Sequence, residues 1–196
     1  MSRIKLTVLG FLGFIVMLSV FRVSIAQATD NDQFRWDLVH INFITHVVTA
    51  GGHTSAMAND MSAITLTGSG TFSVNSGNSQ DVTGGGTWSM SSGASGNYEV
   101  TGFVSFVLSP AGTFPPSLHD DVCDDCSAAN AHAGLVVLKV AFDDGSDGVL
   151  TVSCALPGAP PSMFEGITVS KGFVDYWNRE PGEPGNGNAT LFHDLH

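Results

Sequence analysis

Residues 62–108 read SAITLTGSGTFSVNSGNSQDVTGGGTWSMSSGASGNYEVTGFVSFVL and contain an internal repeat. The segment Thr67–Ser73 (TGSGTFS) returns at Thr83–Ser89 as TGGGTWS. Apolar residues and glycines take every second position here, and the connecting segments are rich in Ser, Gly and Asn. A period of two indicates β-strands, because alternate side chains of a strand point to opposite faces. The stretch therefore predicts three strands of an antiparallel meander.

The glycines of this repeat lie on the apolar face, shortly before an aromatic ring. They are Gly68 and Gly70 in the first copy and Gly84 and Gly86 in the second. Glycine weakens a strand because it costs backbone entropy and offers no side chain to pack. One explanation is that the strands coil sharply there, as they do in closed sheets. The other is that the glycines leave room for a ligand, and glycine kinks are common enough to favour the first.

The rest of the chain beyond residue 28 predicts the same class of structure. Short alternating segments separated by turn residues continue to the end, and no segment there has a persuasive helical period. The prediction is an all-β fold, a single antiparallel β-barrel or closed β-sandwich of about nine short strands over residues 29–196. Residues 109–133 form one long acidic connection, of a length that is usually functional or disordered. An apolar parity switch at His40–Ile41 predicts a β-bulge or a bend in the first strand.

The N-terminal residues predict export. Arg3 and Lys5 precede the apolar run Leu6–Phe21, and a small-x-small site ends at Ala28. This order is typical of a secretory signal peptide over residues 1–28, with cleavage after Ala28. The run is shorter than the roughly 20 residues that a membrane-spanning helix needs. We therefore expect a secreted or periplasmic protein without an integral membrane span in the mature chain.

Charge narrows the kinds of partner. Four Lys and Arg against eighteen Asp and Glu remain beyond residue 28, a formal net charge of −14. Such a surface repels nucleic-acid phosphates and anionic lipid head groups. The sequence thus predicts no nucleic-acid partner and leaves neutral molecules, cations and metal ions. Solubility alone would also explain the charge, and the oligomeric state is not predicted.

Two of the three cysteines form a CxxC pair in the acidic connection. In an exported protein the default for Cys123 and Cys126 is a disulfide bond. The competing interpretation is a metal site that includes these cysteines. Free thiols or another disulfide pairing are the remaining alternatives. The ligands of the metal site would be His119, Asp121, Cys123, Cys126 and His132. One CxxC motif without a second pair is, however, a weak signal for zinc. The remaining Cys154 lies on the apolar face of a predicted strand and is read as core.

Ligand contacts are predicted from aromatic side chains with polar neighbours, which is how small-molecule sites are often built. A mixed block near the C-terminal end supplies most of them, and the glycine-rich stretch supplies the rest. The ordinary alternative is that these rings seal the core. The candidates are Trp88, Phe106, Tyr176, Trp177 and Arg179.

At the two repeat copies and at Phe164–Glu180 (FEGITVSKGFVDYWNRE), the chain resembles a family of exported β-rich proteins. The resemblance spans most of the chain beyond the signal, and it implies no activity. The strands are also similar in style to the small barrels of the allene-oxide-cyclase and dirigent kind, without a shared site motif. No residue role follows from either resemblance.

Two functions compete at this point. The first is a non-catalytic exported binding or structural β-domain, which would hold a small apolar or neutral ligand. The second is an enzyme or metal-binding protein that uses the loop His119–His132. The sequence has no recognisable nucleophile, metalloprotease or phosphate-binding motif, so an enzyme has no positive support. No cofactor is predicted, apart from a metal ion under the second hypothesis.

Overall fold

The computed structural model describes residues 33–74, 78, 80–179 and 188–195, with the side chain of Arg179 excepted. The predicted signal peptide lies outside these residues. The described chain is all-β and contains no helix, which confirms the fold class. Its fifteen β segments, in chain order, are β1 Gln33–Asn42, β2 Val47–Ala50, β3 His53–Met57, β4 Ala63–Thr67, β5 Ser69–Ser73, β6 Gly85–Met90, β7 Ser95–Leu108, β8 His119–Asp121, β9 Ala131–His132, β10 Gly134–Phe142, β11 Asp147–Cys154, β12 Gly166–Lys171, β13 Val174–Tyr176, β14 Asn178–Arg179 and β15 Asn188–Asp194.

The strands belong to one sheet in the order β13-β12-β11-β10-β7-β6-β5-β1-β15-β9. Side branches add β4, β3 and β14 next to β6, and β2 and β8 next to β1. Neighbours are antiparallel, apart from the short parallel pair of β2 with β8. The path of the sheet does not return to its first strand, so the sheet is not closed. The barrel and the closed sandwich are therefore not established.

The glycine-rich stretch forms the predicted antiparallel strands. The first predicted strand is divided at Gly68 into β4 and β5, and both halves pair with β6. Ile64, Leu66 and Phe72 are fully buried, as their alternation predicts. This division is one reason why the described chain has more segments than the nine short strands expected.

Strand β7 departs from strict alternation. Its register with β10 shifts twice, between Val137 and Leu138 and between Lys139 and Val140. After the irregularity Phe103 packs against Phe72, with ring centroids 5.4 Å apart, while Val104 is half exposed. Strict alternation of this segment predicts that Val104 lies on the same buried face as Tyr98 and Phe106. This is wrong, because each extra residue in a strand reverses the facing of the side chains beyond it.

Strand β1 has apolar cover on both faces. Trp36 and Leu38 are buried on the face toward the main core, and Val39 is buried on the opposite face. Pairing with β15 runs without a register shift from Phe34 to His40. The predicted bulge is therefore absent from this ladder. The parity switch instead reflects the composition of the covered outer face, which is polar at Asp37 and apolar at Val39 and Ile41.

Candidate functional site

The space beside the repeat glycines is occupied by protein. A Cβ atom at Gly70 would collide with the carbonyl oxygen of Thr83, and one at Gly86 with that of Thr67. These contacts are made by neighbouring strands that approach too closely for any side chain. The repeat therefore lets backbones pack together, and these glycines do not line a ligand cavity.

Phe106 lies within an aromatic cluster in the core. Its ring centroid is 4.7 Å from that of Phe34, 4.9 Å from that of Phe72 and 5.3 Å from that of Phe192. Offset and tilted ring pairs at such distances stabilise a core beyond the area that they bury. The contacts of Phe106 are thus those of a packing residue.

Trp88 belongs to a separate cluster. Its indole N–H donates to Asp143 Oδ1 at 3.0 Å, and the Lys171 ammonium lies 4.4 Å from the ring centroid. Lys171 also pairs with Asp144. Hydrogen bonds from Lys171 and Ser146 lower the pKa of Asp144 to about 2. This arrangement closes the β10–β11 turn over Trp88, whose indole is almost fully buried.

The other three predicted ligand residues follow each other at the β13–β14 junction. Tyr176 is buried, whereas Trp177 is 54% exposed and donates its indole N–H to Asn59 Oδ1 at 3.1 Å. Arg179 pairs through its backbone with Ala56 of β3. The five predicted ligand residues thus lie in three places and do not form one site.

The long connection carries the predicted disulfide, Cys123–Cys126. His119 and Asp121 are exposed on β8, and His132 packs its ring edge toward Phe34 at 6.1 Å. Within the described ranges no three His, Cys, Asp or Glu side chains are grouped to hold a metal ion. With both sulfurs bonded to each other, the CxxC pair does not offer thiolate ligands.

Thiol titration checks the cysteine assignment. We expect no reactive thiol in the native protein and one after denaturation, because Cys154 is fully buried and burial raises the pKa of its thiol. Replacing both Cys123 and Cys126 by serine should cost at most about 2 kcal/mol, since the bond closes a very short loop. Two further reactive thiols in the native, unreduced protein would contradict the disulfide.

A buried polar cluster fixes the connection to the sheet. Arg35 donates two hydrogen bonds of 2.7 Å to Asp37, whose side chain is fully buried on the outer face of β1. His193 of β15 lies 2.8 Å from Asp120 of β8, and both side chains are buried. Burial raises the pKa of Asp37. The cluster ties β1, β15 and the long connection together.

Beside this cluster a cavity of about 160 Å³ lies on the same outer face. The long connection supplies one wall, and β1, β2, β15 and the segment after β11 supply the others. Its lining residues are apolar apart from Thr190 and Glu165. The lining residues are Val39, Ile41, Val48, Phe114, Pro115, Leu118, Ala155, Leu156, Pro157, Glu165, Ala189, Thr190 and Leu191.

Glu165 supplies the carboxyl group of this cavity. Its Oε1 accepts hydrogen bonds from the Thr190 backbone N–H (2.6 Å) and hydroxyl (2.8 Å), and its Oε2 accepts one from the Ala155 N–H (2.7 Å). Glu165 as a whole is exposed, and it is only the carboxylate end, held by these N–H and O–H groups, that loses contact with water. This burial raises the pKa of the Glu165 carboxyl. An apolar cavity with one charged group on its wall is the usual composition of a small-molecule site.

Sequence reasoning placed Glu165 only inside a longer block and did not identify it as a site residue. The available signal was the parity switch at Ile41, which shows that the outer face of the first strand is also apolar. A strand with two apolar faces must be covered on both sides. The long connection of residues 109–133 is the segment that could cover the second face. The comparisons add no site residue: the chain matches no protein-family model, no curated protein and no solved structure.

Proposed function

We propose that this protein is a non-catalytic, exported β-domain that binds a small apolar ligand in the cavity between β1, β15 and the long connection. The observation that carries the proposal is the cavity itself, an apolar space with a single carboxyl group on its wall. The ligand lies outside the main core, because the core is filled by aromatic rings such as Phe72 and Phe106. A binding role also gives the long connection a use, since it forms one wall.

Cavity volume sets the size of the ligand. An apolar cavity of about 150 Å³ accommodates a benzene-sized molecule, and the volume here is about 160 Å³. We infer a ligand with a ring or branched apolar body of that size. For a molecule of about eight non-hydrogen atoms, a dissociation constant on the order of 10⁻⁴ M is reasonable.

The finer architecture belongs to the same proposal. β13 pairs with β12, and β14, one residue further on, pairs with β3. We infer that Val174–Arg179 acts as one bent strand that joins these two parts of the sheet. The ring of neighbours would then be completed through β4, β6, β7, β10 and β11, which is the antiparallel barrel expected from the glycine-rich strands.

The proposal also includes the location of the protein outside the cytoplasm and the charge of its ligands. The charge beyond residue 28 favours neutral or cationic ligands over nucleic acid. The Cys123–Cys126 disulfide is compatible with a secreted or periplasmic location. In the described part of the chain no helix has the length and hydropathy needed to span a membrane.

Filling the cavity tests the function. We expect benzyl alcohol at ten times its dissociation constant to stabilise the protein by about 1.4 kcal/mol. Ala189→Leu, which places a larger side chain in the cavity, should abolish this stabilisation. Ala155→Leu fills the same space from another element and repeats the test if the first variant folds poorly. Thermal unfolding with and without benzyl alcohol gives the result.

The matched control is Ala111→Leu, because Ala111 lies in the same connection but is exposed and outside the cavity. This variant should keep the full stabilisation by benzyl alcohol. Equal stabilisation of the filled variants and the control would overturn the assignment of the cavity as the binding site.

A further inference from the structure

We propose that the ligand carries one ammonium group, which donates a hydrogen bond to Glu165 Oε2; this inference rests on the function proposed above. The ligand class is therefore a small apolar amine. Glu165 is the one ionisable side chain among the residues that line the cavity. Among the described residues it provides the one charge on the cavity wall with which a ligand can pair.

Hydrogen-bond capacity identifies the oxygen. A carboxylate has about four acceptor positions, two on each oxygen. Glu165 Oε1 accepts from both the N–H and the hydroxyl of Thr190, so its two positions are used. Oε2 accepts only from the Ala155 N–H. One acceptor position on Oε2 is thus free for a donor on the ligand.

The missing counter-charge of Glu165 indicates that the donor group of the ligand is positively charged. In the described ranges the ion pairs join Arg35 with Asp37, Lys171 with Asp144 and His193 with Asp120, and Glu165 takes part in none of them. A carboxylate that loses part of its hydration without gaining a counter-charge is destabilised. A ligand ammonium would compensate for that cost, whereas a neutral ligand would not.

The Thr190 hydroxyl makes the charge state of Glu165 adjustable. Its oxygen lies 2.6 Å from the Ser153 carbonyl oxygen and 2.8 Å from Glu165 Oε1, but it has a single hydrogen to share. When that hydrogen points to Ser153, a proton on Glu165 can bond back to Thr190. When it points to Glu165, the carboxylate is stabilised as an anion. An arriving ammonium favours the second arrangement, so binding below the raised pKa of Glu165 should release a proton.

A pair of probes of similar shape tests the inference. Benzylamine is an ammonium ion at neutral pH, and benzyl alcohol is its neutral counterpart. We expect the wild-type protein to bind benzylamine at least about tenfold more tightly, which is typical of a charge-assisted hydrogen bond. Titration calorimetry of both probes at neutral pH measures the preference.

Two variants distinguish the effect of the Glu165 carboxylate from that of the net negative charge of the protein. Glu165→Gln keeps the shape of the side chain and should abolish the preference for benzylamine over benzyl alcohol. Glu99→Gln removes one exposed carboxyl group on β7 and should keep the preference. If Glu165→Gln does not fold, the wild-type preference should still decline as the pH falls through the pKa of Glu165. The Cys154 thiol, which interacts with Glu165, stays neutral throughout this pH range, because burial raises the pKa of the thiol above its ordinary value.

The outcomes distinguish the two proposals. If both probes bind the wild-type protein equally, the ammonium inference is overturned and the binding function stands. If neither probe binds, both proposals fall. A preference that persists in Glu165→Gln, or that stays constant while folded protein is acidified, would also overturn the inference, because the ammonium would then be recognised elsewhere.

Discussion

Replacing Gly86 by alanine is expected to destabilise the fold by about 3 kcal/mol or more, or to prevent folding. A Cβ atom there would overlap the Thr67 carbonyl oxygen and lie 2.8 Å from the Gly68 Cα. Both atoms belong to the backbone, so no side chain can rotate away to relieve the overlap. The neighbouring strands would have to separate where β4 passes into β5, and the pairing with β6 would be lost on both sides. Chemical denaturation measures the effect.

The control is Gly93→Ala in the β6–β7 turn. A Cβ atom at Gly93 would meet nothing within 4 Å, although φ is +94°. Its cost should therefore be limited to backbone strain of about 1–2 kcal/mol. If the two variants lose equal stability, the close approach of the strands at the glycine repeat is not what requires glycine there.

The second large effect is expected for Arg35→Met, which should cost about 3 kcal/mol. The Asp37 side chain is fully buried, and both of its oxygens accept hydrogen bonds from Arg35. Methionine preserves the stem of the side chain but leaves the Asp37 carboxylate without its counter-charge. A buried charge that has lost its partner is far more destabilising than the loss of an exposed pair. Urea unfolding of the variant at neutral pH gives the free energy.

Two further variants make this result specific. Lys139→Met removes the same charge from an exposed position on β10 and should change stability by less than about 0.5 kcal/mol. The double variant Arg35→Met/Asp37→Leu should recover much of the loss, since it removes the uncompensated carboxylate as well. A loss in Arg35→Met no greater than that in Lys139→Met would show that the ion pair contributes little.

The sequence predicted the β-strands of residues 62–108, apart from the division of the first strand at Gly68. Alternation there is strict, and a period of two has one structural interpretation when it extends over many residues. It fails between the two register shifts of β7, where Phe103 turns inward in place of Val104. Such irregularities depend on which residues of the partner strand lie opposite, and that information is not contained in the strand itself.

The candidate site could not be found in the same way. Its walls come from segments far apart in the chain, with Ile41, Phe114, Glu165 and Leu191 meeting around one cavity. No local period links them, because the cavity exists only after the connection folds onto the outer face of β1 and β15. Aromatic composition instead directed attention to residues such as Trp88, which the structure uses in packing. The long connection was the one sequence feature that directed attention to this region.

The most direct test of the central claim is an amide NMR titration of ¹⁵N-labelled protein with benzylamine. The account predicts that the largest shifts occur at Ala155 and Thr190, whose N–H groups bond to Glu165, and at Leu191 on the cavity wall. Amides beside the exposed Trp177 should remain unchanged. Shifts confined to the region around Trp177, or spread evenly over the acidic surface, would contradict a ligand site between the long connection and the sheet.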